Sequence, residues 1–218
     1  MSTDTATAPA KGIAPSMFTL AIFYGGMVCL AGVLGNKQVA LGPLAVEAGI
    51  FAFLLLVATS SAVAELHGRE TANKLVVWGF APLLISLGLT LIVLALPKAA
   101  DMPADRLQAF EAIMLATPRI WLGGIVAYGI STLLNVAIFS RLSQGRGKLL
   151  WLRAAVASVL SQIVDTLIFI TIAFYGEFPI ANLLLGQILA KVVLSIVLVP
   201  PLIQLFVTLG RRADRQPA

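Results

Sequence analysis

Charge is scarce in this chain: 11% of its 218 residues are Asp, Glu, Lys or Arg, against roughly 25% in an ordinary soluble domain. Together with 59% hydrophobic residues and a mean hydropathy of +0.98, this excludes a soluble globular domain and reads as a polytopic membrane protein. Cysteine occurs once, as Cys29, so an intramolecular disulfide is excluded. Val28 precedes it where a lipoprotein cleavage site wants a small residue. The single histidine, His67, and the single cysteine cannot close a zinc site, and spacing places no Ser-His-acid set. Gly145-Arg146-Gly147-Lys148 is not a phosphate-binding loop: the upstream glycine spacing is wrong, and Leu149 follows where Ser or Thr is needed. No ATPase, no hydrolytic machinery, no enzyme activity, no metal and no cofactor are expected.

What the chain does have is apolar length. Residues 1–12 are small, polar and Pro-containing, and read as a disordered tail. Six apolar segments follow, at roughly 14–35, 44–64, 74–97, 119–140, 153–175 and 179–209. Each can cross a hydrocarbon core of about 30 Å. The first has no convincing small-residue cleavage site after it and reads as a retained helix. The last is over-long and is expected to tilt, or to break near Pro200-Pro201. The expected fold is all-α: a six-helix transmembrane domain over 13–210, with a basic tail at 211–218. The one longer connection, 98–118, carries Leu107, Phe110, Ile113 and Met114 at helical spacing. It reads as a short amphipathic helix on the membrane surface or as an extension of the fourth span. Ala154 with Ser158, and Ala157 with Ser161, give a small-residue packing pattern.

The basic residues set orientation. Lys11, Arg69, Lys74, Arg141, Arg146, Lys148, Arg153, Arg211, Arg212 and Arg215 fall on one side of six spans. Lys37, Lys98, Arg106 and Arg119 fall on the other, and Lys191 lies inside a span. Ten cations against four place both termini in the cytoplasm of the inner (plasma) membrane. The sequence pI near 9.7 is explained by that flanking pattern, and no nucleic-acid partner is expected; the partners are the lipid bilayer and a small molecule.

Polar groups inside the spans point to a site. An ionisable intramembrane residue normally faces a partner or a water-filled cavity. Asp165 lies ten residues from the outer end of the fifth span, and Lys191 ten residues into the sixth. At about 1.5 Å per residue both are about 15 Å deep, a natural pair. One face of the fifth span reads Ser158, Gln162, Asp165, Phe169. The pair reads either as a structural salt bridge or as part of a midplane pocket. The amides of Gln162, Gln187 and Asn135 exceed what one ion pair needs and favour a pocket. A carboxylate beside amides, walled by aromatics such as Phe169, Trp121, Tyr128 and Phe23, suits a flat heterocycle: the acid takes an amidine-like edge, and the amides read carbonyl and ring nitrogen. The same aromatics also fit lipid-facing or packing roles. Asn36 and Lys37 with Glu47 form either an outer gate or a surface cluster. Glu65, His67, Arg69 and Glu70 read as a solvated loop.

These residues resemble a known family. Asn36-Lys37, the turn Glu65-Leu66-His67-Gly68, the block from Lys148 through Trp151 to Arg153, then Gln162, Asp165-Thr166 and Phe169, and finally Lys191 and Pro200, are similar to the queuosine precursor transporter family, also called vitamin-uptake-transporter-like. The resemblance spans nearly the whole chain beyond the tail. It implies a six-helix bundle similar to the substrate-binding components of energy-coupling-factor transporters, and uptake of 7-deazaguanines such as preQ0 or preQ1. Arg153 enters the candidate site with its block, and the base's amino-pyrimidinone edge would meet Asp165. Ser61 and His67 depart from the Asp and Tyr frequent in the family. The alternative to a stand-alone carrier is a substrate-capture subunit that borrows a partner's ATPase module; a non-transporting membrane protein is a third class. A homodimer is compatible with a small bundle of this kind.

Overall fold

The computed structural model describes residues 12–35, 37–41, 44–115, 118–143, 150–176 and 180–215. Helices α1 (Pro15–Leu34), α2 (Gly49–His67), α3 (Arg69–Ala95), α5 (Pro118–Ser143), α6 (Leu150–Phe174) and α7 (Ala181–Ala213) are the long ones, and α4 (Ala104–Met114) is short. Among the described residues, six helices are long and apolar enough to cross a membrane. A helix satisfies its own backbone groups, which is the requirement hydrocarbon imposes. The chain is therefore a helical membrane bundle.

Burial identifies the central element. Over its apolar window α2 is 61% buried, whereas α3 is 11% buried. Helix α2 separates two apolar clusters. On one side Leu54, Val57, Ala58 and Ala62 pack with Phe139 of α5, Ala154 and Ala157 of α6, and Val199, Ile203 and Val207 of α7. On the other, Leu56 and Val63 pack with Leu20, Tyr24 and Val28 of α1, Val76 of α3 and Tyr128 of α5. Trp78 and Ile85 of α3 stand exposed, on the surface a bilayer would cover. Gly68 alone joins α2 to α3; its φ of 85° is left-handed, which suits glycine.

Three expectations need correction. Residues 44–47 are not helical. They form β2 (Leu44–Glu47), paired antiparallel with β1 (Gln38–Leu41) in the register Gln38↔Glu47, Val39↔Val46, Ala40↔Ala45 and Leu41↔Leu44. Two four-residue runs around a two-residue Gly-Pro link favour a hairpin over continued helix. Val46 is buried against Ile50 and Leu54, so the hairpin folds back into the bundle. Second, of the two expectations for the last span the break near Pro200-Pro201 is not found: α7 is continuous through the dipeptide. Val199, Pro200 and Ile203 are buried, so packing on both sides of the dipeptide holds the helix across the missing donors. Third, α7 runs to Ala213, so Arg211 and Arg212 belong to a helix and not to a tail. The connection 98–118 does contain a separate helix, α4. The expected tail at 1–11 and the last residues, 216–218, lie outside the described residues.

Candidate functional site

Six alternating spans put the ends of α1, α3 and α6 and the starts of α2, α5 and α7 at the face opposite the termini. A cavity of about 460 Å³ opens among those ends. Its wall takes Val28, Cys29 and Gly32 from α1, Ile50 and Phe53 from α2, Ser86 and Thr90 from α3, Tyr128 from α5, Asp165 and Phe169 from α6, and Gln187 and Lys191 from α7. Ile113 and Met114, the last turn of α4, complete it. Thus the amphipathic spacing of α4 brings an apolar edge to the mouth of the cavity. The volume falls within the range of about 300–1,000 Å³ usual for small-molecule sites.

The wall's charge is concentrated in one pair. Lys191 Nζ donates to Asp165 Oδ2 at 2.6 Å, tying α7 to α6. Ser131 Oγ donates to the other oxygen, Oδ1, at 3.1 Å. The ammonium also lies 5.4 Å from the centre of the Phe53 ring, within cation–π range. A carboxylate offers about four acceptor positions and an ammonium three donors, so each keeps unused capacity beside the cavity. Gln187 Oε1 is buried without a hydrogen bond. Acid, cation and amide therefore share one side of an otherwise apolar chamber.

Toward the terminal face the chamber closes on aromatics. The Tyr128 hydroxyl donates to the Tyr24 hydroxyl, and Phe53 and Phe80 meet the Tyr128 ring edge-on at 5.6 and 5.3 Å. Tyr24 is fully buried. It lies against Gly79 of α3, where a Cβ would overlap its ring.

Of the expected site residues, the structure brings Asp165, Lys191, Gln187 and Phe169 to one cavity. Gln162 is fully buried one turn before Asp165 on α6 and does not line the cavity; both ends of its amide lack hydrogen bonds. Asn135 is buried and donates to Ser61 Oγ at 2.8 Å, away from the wall. Lys37 is exposed at the start of the hairpin. Asn36 and the side chains of Glu47 and Trp121 lie outside the described residues. Of the candidate walls, Tyr128 lines the cavity, whereas Phe23 packs edge-on with Phe206. Phe53 and Ser131 were not anticipated: they come from other helices, and no local spacing ties them to Asp165.

Arg153 lies twelve residues before Asp165, about 18 Å along α6, where it pairs with Glu65 at 3.1 Å and stacks over Phe139 at 4.7 Å. Arg211 approaches the same carboxylate at 3.7 Å. Beside them, Asp214 accepts from the Ser16 backbone N–H at 2.9 Å and from its hydroxyl at 2.7 Å. These bonds hold the Asp214 carboxyl below its ordinary value. Ser16 has one hydroxyl hydrogen and gives it to Asp214, so His67 Nε2, 2.7 Å away, is the donor to Ser16. Glu65 and His67 are thus not in a solvated loop. They end α2 where α1, α6 and α7 converge, and each has protein partners there. Arg69 and Glu70 are exposed, Glu70 paired with Lys74, and these two fit the solvated description.

Fold and site together define a multi-pass membrane protein with a ligand-sized chamber between its helices. Residues 47–205, well over half the chain, match the family described as "Putative vitamin uptake transporter". The chain belongs to this vitamin uptake transporter family, a family of transporters and not of enzymes. A Bacillus subtilis (strain 168) protein named "Probable queuosine precursor transporter" is 30% identical over 142 residues, which cover 62% of this chain and 61% of that relative. The chain thus matches somewhat less than two thirds of the relative's length. No solved structure matches it. The six spans and these relationships describe a multi-pass protein of the bacterial plasma membrane.

Proposed function

We propose that the protein takes up 7-deazaguanine precursors of queuosine, such as preQ0 or preQ1, holding the base in the chamber beside Asp165. The observation that carries this reading is the chamber's polar side: a buried carboxylate, an ammonium and an amide oxygen without a hydrogen bond, all facing one space of about 460 Å³. An aminopyrimidinone edge offers adjacent N–H donors and a carbonyl. Asp165 keeps acceptor positions for the donors, Lys191 keeps N–H groups for the carbonyl, and Gln187 Oε1 can take a further N–H. Phe53, Tyr128 and Phe169 supply the flat apolar walls on which a fused ring stacks. The relative's name points the same way. All of these side chains come from one copy, so the reading does not require a homodimer.

Thermal stability of the purified protein with preQ0, preQ1, queuine or riboflavin tests the reading. A ligand at a hundredfold excess over its Kd adds about 2.7 kcal/mol, on the order of 5–10 °C for a chain of this size. Stabilisation by riboflavin and by none of the deazapurines would refute it. Uptake by proteoliposomes holding this chain alone marks a stand-alone carrier, whereas binding without uptake marks a capture subunit that needs a partner ATPase.

A further inference from the structure

Below the chamber, between it and the face where α1 begins and α7 ends, the helices meet along residues with buried polar atoms that have no hydrogen-bond partner among the described residues. Gln162 is fully buried, and neither its Nε2 nor its Oε1 makes a hydrogen bond. The Oγ atoms of Ser158 and Ser195 and the Oδ1 atom of Asn135 are in the same condition, although all three residues are fully buried. They belong to α5, α6 and α7, and Asn135 reaches Ser61 of α2. On α6 the sequence Asp165, Gln162, Ser158 steps down one face, one turn at a time. Beyond Ser158, nearer the start of α6, Arg153 pairs with Glu65 and joins α6 to α2, while Arg211 brings in α7. A buried amide with four unused hydrogen-bonding positions is destabilising in a static bundle, and with three further residues that carry an unbonded buried polar atom it calls for a state in which these atoms are solvated or occupied.

We propose that this seam, from Gln162 to Ser158, is the inner half of the substrate path, shut in this conformation by the ion pairs of Glu65 with Arg153 and Arg211. The inference rests on the transport reading above. The outer chamber and the inner seam are the two halves that alternating access requires. Asp165, one turn from Gln162 on α6, lies where the two halves meet, and the paired charges seal the inner end. When Glu65 releases the arginines, α6 and α7 part from α2, and the seam's amides and hydroxyls face water and the passing solute.

The test uses cysteine accessibility. In full-length protein carrying Cys29→Ser, Ser158→Cys is probed with a membrane-impermeant maleimide added to inside-out vesicles. With the gate intact, labelling is slow. Glu65→Gln should raise its rate tenfold or more, and the exchanged pair Glu65→Arg with Arg153→Glu should bring it back down. An unchanged rate in a folded Glu65→Gln protein overturns the proposal. Gln162→Leu gives a second reading if the gate variants fail to accumulate. A path residue gives an unchanged or higher melting temperature, affinity at the chamber within about threefold, and uptake at least tenfold lower. A residue that merely packs gives a lower melting temperature with uptake falling in parallel, which also overturns it. Labelling needs no substrate: a gate that opens in a protein that binds no deazapurine refutes the proposed cargo and keeps the path.

Discussion

Breaking the Asp165–Lys191 pair from one side should harm the fold more than removing it altogether. Lys191→Met leaves a carboxylate that is 93% buried by side-chain area with a single partner, the Ser131 hydroxyl. Orphaning a buried charge costs about 3–5 kcal/mol; the remaining hydrogen bond and the adjoining cavity place this case near 3. For a chain of this length that is a fall of about 6–12 °C in Tm. Asp165→Leu leaves the ammonium with the Phe53 ring, which replaces a carboxylate only in part, so a loss of similar size is expected. The double change Asp165→Leu with Lys191→Met leaves no buried charge. Ser131 Oγ still has the Tyr128 carbonyl at 3.2 Å, so its hydroxyl is not stranded. The double variant should therefore lie within about 1–2 kcal/mol of the parent, since apolar replacement of a buried pair is often neutral. A thermal-stability cycle over the four proteins should then return a coupling of at least about 3 kcal/mol. Effects that add to within about 0.5 kcal/mol would refute the reasoning, because the two charges would then not depend on one another.

Asp165→Asn should leave the protein in the membrane but weaken deazapurine binding about 10- to 150-fold, the worth of a charge-assisted hydrogen bond of about 1.5–3 kcal/mol; undiminished binding by a well-expressed variant removes Asp165 from the site. Cys29 lines the chamber, so bound base should slow its reaction with a maleimide supplied from the outer face, and equal rates with and without ligand would place the base elsewhere. Both termini should be cytoplasmic, ten cations against four; a reporter fused after Ala218 that is active only outside the cytoplasm contradicts this. Asp214 titrates below its ordinary 3.8 because Ser16 donates to it twice. Its contribution should be complete above 3.8 and vanish as pH falls through its lower folded value, so the stability gap between the parent and Asp214→Asn should close only in that acid range.

The spans were legible because hydrocarbon leaves few options: an apolar run of about twenty residues in a bilayer becomes a helix. The Asp165–Lys191 pair was legible for the same reason, since a constant rise converts sequence position into depth. The hairpin was not. Three apolar residues on each side of Gly42-Pro43, Val39 to Leu41 and Leu44 to Val46, raise the hydropathy of the window that contains them, and only the dipeptide between them signals a turn. Helix α4 could be read from Leu107, Phe110, Ile113 and Met114, but its place at the chamber's mouth could not, because spacing fixes a face and not its neighbour. Ser131 and Phe53 stayed hidden on the same ground: both reach the pair from other helices.

Glu65 and Arg153 show the opposite error. Charges at span ends are normally solvated, and counting them for orientation treats them as such. Here four helix ends converge, those of α1, α2, α6 and α7, so Glu65 meets two arginines and His67 meets Ser16. The result is a polar layer at each end of a seam of buried groups without hydrogen bonds. An apolar seam would give a more stable bundle, since Gln162 alone forgoes every hydrogen bond its amide could make, at a cost of about 1–3 kcal/mol for each unsatisfied group. The apolar clusters around α2 act in the opposite sense, by burying aliphatic surface. A bundle that only had to stay closed would have no use for such groups. One that must present a polar wall first to one face of the membrane and then to the other has to keep them in whichever half is shut.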